Sequence, residues 1–130
     1  MRVYTYYDRL RTFTCQQDLI KLWKDSWRAK GFEPIVLSEH DARQHGYYDT
    51  YVNSLRELHQ EIMNAELTPY GLSCYNRWLA YAQLPPGHFI TTDYDIINYN
   101  LTPDQISDDN TIHLMNAATP CIVSGSSDLF

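Results

Sequence analysis

The chain has 130 residues, with 10 Lys+Arg against 16 Asp+Glu and a formal net charge of −6. That length holds one domain and not two, and 44% hydrophobic with 20% charged residues is a globular balance that excludes intrinsic disorder. The acid excess and the lack of any basic run exclude a phosphate-tracking nucleic-acid surface, and no stretch approaches the ~20 apolar residues of a membrane span. Met1 to Asp8 lacks the apolar core of a secretory leader, so the expected location is the cytoplasm. Cys15, Cys74 and Cys121 form no CxxC pair and no zinc set, and they read as small, mostly buried, reduced residues.

Taken in chain order, Val3 to Tyr7 is β-prone and predicts the first strand. Thr14 and Gln17 have capping-box spacing, and Leu19, Ile20, Trp23 and Trp27 fall on one face of the helix that follows. Gly31 is its natural stop. Glu33 to Leu37 predicts a second strand, with Pro34 near its start where no ladder donor is required. Strand, helix and strand make a β-α-β unit, which favours a parallel pair.

Ser38 to Asp41 is a polar loop. Val52, Leu55, Leu58, His59, Ile62 and Met63 mark a second amphipathic helix, which Thr68 to Gly71 breaks. Leu72, Tyr75, Leu79 and Ala82 mark a third, ended by Pro85-Pro86-Gly87. His88 to Thr92 predicts a third strand. Thr102-Pro103 is a helix start, and Asp108 to Asn110 a turn. Ile112 to Met115 and Cys121 to Val123 are further strand candidates. The alternation predicts an α/β fold with a mainly parallel sheet flanked by helices. In such sheets ligands bind outside the carboxyl ends of the strands. Tyr6 to Asp8, Ser38 to Asp41 and Asp93 to Asp95 would then share one edge.

The chemistry concentrates at Asp93-Tyr94-Asp95, directly after the apolar third strand. Two carboxylates at i and i+2 can face one side of a turn and hold a hard cation, Mn²⁺ or Mg²⁺, that keeps positions open for phosphate oxygens. The triplet alone is equally readable as a solvated turn whose acids cap backbone amides. Among the histidines, His59 lies on an apolar face and reads as a satisfied core or boundary residue. His113, which follows the triplet, is a candidate metal ligand or acid/base group. Trp23 and Trp27, at i and i+4, read as helix-to-sheet packing rather than a ligand platform.

Residues 74–95 add context. Arg77-Trp78 on a helix, then Gly87, then Phe89-Ile90 and Asp93-Tyr94-Asp95, resemble in order the pattern of GT-A, DxD-containing glycosyltransferases. The resemblance covers about a fifth of the chain closely, and the opening β-α-β unit fits more loosely. Cys74 stands where many relatives carry an acid, Pro85-Pro86 precedes Gly87 where paired glycines are usual, and Thr91-Thr92 replaces an apolar approach to the acids. The resemblance implies a GT-A (Rossmann-like) nucleotide-binding architecture. It implies transfer of a sugar from a UDP- or GDP-type donor to a glycan, protein or lipid acceptor. It also implies that residues 1–130 form one donor-binding domain, either a minimal member or the N-terminal half of a longer enzyme. Asp95 and Asp93 would serve the metal. Asp93, Tyr94 and Arg77 would serve the donor's ribose, sugar or phosphates, and Tyr6, Tyr7 and Asp8 the base. No catalytic base is assigned. Two other readings stand beside it: a non-catalytic nucleotide- or glycan-binding domain, and, ranked lower, a haloacid-dehalogenase-like phosphatase. The phosphatase motif prefers an N-terminal strand and a Thr or Val where Ile97 stands.

Overall fold

The computed structural model describes residues 1–9, 15–107, 109, 111–115 and 121–126. The expected cap at Thr14 and the turn positions Asp108 and Asn110 lie outside them. β1 (Arg2–Tyr6) is followed by α1 (Gln16–Arg28), β2 (Glu33–Leu37), a one-turn α2 (Glu39–Ala42), α3 (Tyr48–Met63) and α4 (Pro69–Ala82). β3 (His88–Thr92), a 3-10 turn at Pro103–Gln105, β4 (His113–Leu114) and β5 (Ile122–Ser126) complete the order. The five strands form one sheet in the order β2-β1-β3-β5-β4.

β1 runs parallel to both β2 and β3, with Tyr4 opposite Ile35 on one side and Thr91 on the other. β5 runs antiparallel to β3, with Thr91 opposite Val123, and β4 is antiparallel to β5. The sheet is therefore mixed, which corrects the expectation of a mainly parallel sheet in a GT-A (Rossmann-like) arrangement. The cause lies after Asp93. A parallel return needs a crossover of a dozen or more residues, usually an α-helix. Among the described residues between β3 and β5 the only helix is the single 3-10 turn. The chain comes back antiparallel instead.

Period-2 alternation places the helices on two faces. Tyr4, Tyr6 and Phe89 point to one side and pack with Tyr48, Val52, Leu79 and Tyr81 of α3 and α4. Val3 and Ile90 point to the other and pack with Trp23, Trp27, Phe32 and Ile106. Both tryptophans are buried as expected, and each satisfies its indole N–H. Trp23 Nε1 donates to Thr92 Oγ1 at 2.9 Å, and Trp27 Nε1 to the carbonyl of Ile96 at 3.0 Å. Gly31, beyond the end of α1, has φ +88°, which β-substituted residues rarely adopt.

Two helix readings change. Thr68 ends nothing by itself. It is the N-cap of α4, its Oγ1 accepting from Gly71 N at 3.0 Å, and Pro69 opens the helix. α3 ends earlier, at Asn64 in the left-handed conformation. The apolar face predicted along α3 is buried only at its start. Leu58, Ile62 and Met63 are exposed at 50%, 71% and 63%. No helix among the described residues is long and apolar enough to cross a membrane.

Candidate functional site

Because β1 and β3 are parallel neighbours, their carboxyl ends open on the same edge, and β2 ends there as well. Tyr7 N donates to the carbonyl of Leu37, and Glu39 N donates to Asp8 Oδ1 at 2.8 Å. The segments after β1 and β2 thus meet, and Ser38 to Asp41, expected as a polar loop, instead caps and opens the one-turn α2. α4 supplies the wall: Tyr70, Ser73, Cys74 and Arg77 recur at helical spacing on one face of it. That face, with Tyr6, Asp93, Tyr94 and Asp95, encloses a cleft of about 270 Å³.

Each group in the cleft is held differently. Asp93 sits at a turn, its N–H donating to the carbonyl of Cys121 and its own carbonyl accepting from Ile96 N. Arg77 Nη1 donates to Asp93 Oδ1 at 3.0 Å. Burial raises the Asp93 pKa above its ordinary value, the Arg77 charge opposes that shift, and the neighbouring Asp95 charge adds to it. The Arg77 guanidinium lies 5.2 Å from the Trp78 ring centroid. The Tyr94 hydroxyl accepts from Gln16 Nε2 at 2.7 Å, and its ring meets Tyr7 edge-on at 5.6 Å between centroids. Tyr7 therefore reaches the site through Tyr94. Among the described residues no hydrogen bond or ion pair engages the Asp95 carboxylate.

Tyr6 donates its hydroxyl to Asp8 Oδ2 at 2.7 Å, and burial first, then Asp8, push its pKa well above the phenol range. Asp8 is thereby spent on two internal donors. It turns toward a second cleft of about 330 Å³, which shares Ser73 with the first and is also lined by Arg9, Glu39, Arg56 and Asn76. Behind it runs a polar chain. Asn76, 1% exposed, makes a long 3.5 Å contact from Nδ2 to the Tyr48 hydroxyl, which donates to Glu39 Oε1 at 2.7 Å. Arg43 Nη2 reaches the same Glu39 oxygen at 2.7 Å. The Asn76 Oδ1 is buried without a partner.

These side chains were only partly foreseen. Tyr6, Asp8, Arg77 and Asp93 to Asp95 are brought to one edge, with Tyr7 behind Tyr94. Tyr70, Ser73, Tyr48 and Asn76 were missed. The recurrence of polar residues at 70, 73 and 77 on one helical face was the available signal for the first two. His113 lies elsewhere: its Nε2 is 2.7 Å from Asp109 Oδ1 on the edge strand β4. Thr111, His113 and Ser107 together hold Asp109 well below the usual carboxylate range. His59 is half-buried on α3 with its Nδ1 unpartnered.

As a metal site the cleft offers two carboxylates, one already shared with Arg77. Among the described residues no group of three or more His, Cys, Asp or Glu is placed to hold a metal. Two carboxylates beside an open cleft suit Mg²⁺ or Mn²⁺ bound jointly with a ligand's phosphates, not a closed structural metal. The three cysteines form no disulfide, and none has the burial expected of it: Cys15 is exposed, and Cys74 and Cys121 are half-buried.

The chain belongs to the family described as a domain of unknown function (DUF8765), whose model matches residues 1–117 and so spans both clefts. No curated protein and no solved structure matches the chain.

Proposed function

We propose that the two adjoining clefts bind a nucleotide-diphosphate sugar together with Mn²⁺ or Mg²⁺, as the donor site of a metal-dependent glycosyltransferase. The observation that carries this reading is the convergence of Asp93, Asp95, Arg77 and Tyr6 on one cleft that shares Ser73 with a second polar cleft. Acidic residues alone would repel a diphosphate. Acids with a guanidinium beside them suit a ligand that arrives with a divalent cation.

In this reading Asp95 and Asp93 hold the cation, and Arg77 reaches the diphosphate or the donor sugar. The base and ribose extend toward Tyr6, Asp8 and Asn76. The bound cation would neutralise the diphosphate as charge builds on the leaving oxygen. An acceptor hydroxyl oxygen attacks the anomeric carbon, the bond from that carbon to the diphosphate oxygen breaks, and the electron pair leaves with the nucleoside diphosphate. The hydroxyl proton passes to a base that this chain's described residues do not identify. The acceptor belongs to the glycan, protein or lipid classes. A cytoplasmic location accords with three cysteines that form no disulfide.

The test is titration calorimetry of UDP and GDP, each with and without Mn²⁺, on the wild type and Asp95→Ala. Cation-dependent binding of one nucleotide, lost in the variant, supports the reading and names the base. Hydrolysis of the matching nucleotide sugar separates an enzyme from a binding domain. A folded protein that binds neither nucleotide refutes it.

A further inference from the structure

The cleft is not equally ready for its two guests. Asp95 is uncommitted, whereas Asp93 already has a cation on it: the Arg77 guanidinium, 3.0 Å from Oδ1. A divalent cation placed between Asp93 and Asp95 would stand beside that guanidinium, and two positive groups on one carboxylate repel each other. Arg77 in turn has donors to spare. Among the described residues its one hydrogen bond is to Asp93, and its Nε is buried with no partner. Trp78 supports the guanidinium face at 5.2 Å, and the side chain stays 34% exposed at the cleft wall. It is anchored, yet it has room to turn toward a ligand.

We propose that Arg77 is an exchangeable latch that makes cation and diphosphate bind as a pair. In the free protein Arg77 holds Asp93 and weakens binding of a cation alone. When a diphosphate enters, its oxygens take over the guanidinium, Asp93 is released to the cation, and each guest improves the other's affinity. Arg77 is thus a positioning residue for Asp93 in one state and a ligand contact in the other. This rests on the cleft being a cation-diphosphate site.

The latch predicts effects of opposite sign from one substitution. Mn²⁺ binding to the protein without nucleotide, followed by electron paramagnetic resonance, should tighten roughly two- to fivefold in Arg77→Ala, the worth of a partly exposed ion pair. Binding of the nucleoside diphosphate found to bind the wild type, measured at saturating Mn²⁺, should weaken roughly ten- to a hundredfold, since hydrogen bonds from a guanidinium to phosphate are lost. Arg77→Gln, which keeps more of the helix-surface packing, should move both in the same directions, and thermal melts establish that either variant is folded. If Mn²⁺ binding is unchanged or weaker in both variants while the wild type still binds nucleotide with Mn²⁺, the latch is wrong and the donor-site reading survives. If the wild type binds no nucleotide with Mn²⁺, the donor-site reading falls and the latch with it.

Discussion

The Tyr48 hydroxyl donates to Glu39 Oε1 at 2.7 Å, tying the start of α3 to the one-turn α2 beneath the second cleft. This bond is the largest cause of the lowered Glu39 pKa, ahead of the contribution of Arg43. The same carboxylate and burial push the Tyr48 phenol up to about 12, with burial the larger cause. Tyr48→Phe should therefore raise the Glu39 pKa toward its ordinary value, read by carboxyl carbon NMR across a pH titration. The sign for stability follows from a depressed acid. The stabilisation is present above the ordinary carboxylate pKa and is lost as pH falls through the depressed one. The melting-temperature gap between wild type and variant should narrow on acidification. A gap that widens at low pH contradicts the assignment.

Trp23 is fully buried and spends its indole N–H on Thr92, the last residue of β3. Trp23→Phe removes that donor and leaves unfilled volume between α1 and the sheet. The expected loss is about 1–3 kcal/mol in urea denaturation. An unchanged unfolding midpoint would mean that α1 is not docked through this residue.

The two ends of α3 should respond differently. Ile62, 71% exposed, should tolerate Ile62→Ser within about 0.5 kcal/mol. Val52, 5% exposed among Tyr48, Leu79 and Tyr81, should lose about 1–3 kcal/mol in Val52→Ala. Equal costs at both positions would show that the far end of α3 is covered in solution.

Asp95→Asn removes the uncommitted charge of the cleft while keeping its shape. Nucleotide binding in the presence of Mn²⁺ should fall at least roughly tenfold, with the thermal midpoint unmoved because Asp95 makes no hydrogen bond or ion pair among the described residues. A large loss of stability with binding intact would make Asp95 a structural turn residue.

How much of this was legible in the sequence depends on how local each feature is. β2 and β3 have the bounds that composition predicted, and β1 is shifted by one residue, because strand propensity and flanking breakers are local signals. Strand direction is not local. The β-α-β opening reads correctly as a parallel pair, yet nothing in Cys121 to Val123 states that β5 returns antiparallel. The periodicity of Leu58, Ile62 and Met63 shows an apolar face but not whether anything packs on it. The same division holds at the site. Asp93, Asp95 and Arg77 stand in one short motif and were found together. The Asn76, Tyr48 and Glu39 chain is assembled from α4, α3 and α2, and only the folded packing brings it into one line.

The placement of β1 between β2 and β3 has a consequence for biosynthesis. β1, α1 and β2 can pair soon after they leave the ribosome, since Val3 meets Pro34 across a short stretch of chain. The other side of β1 waits for residues 88–92, because Val3 meets Ile90 there. Until then one edge of the nascent strand is open, and pairing across so long a loop is slow. The hazard for this chain is therefore greatest while α3 and α4 are emerging and residues 88–92, which pair with the open side of β1, have yet to be made.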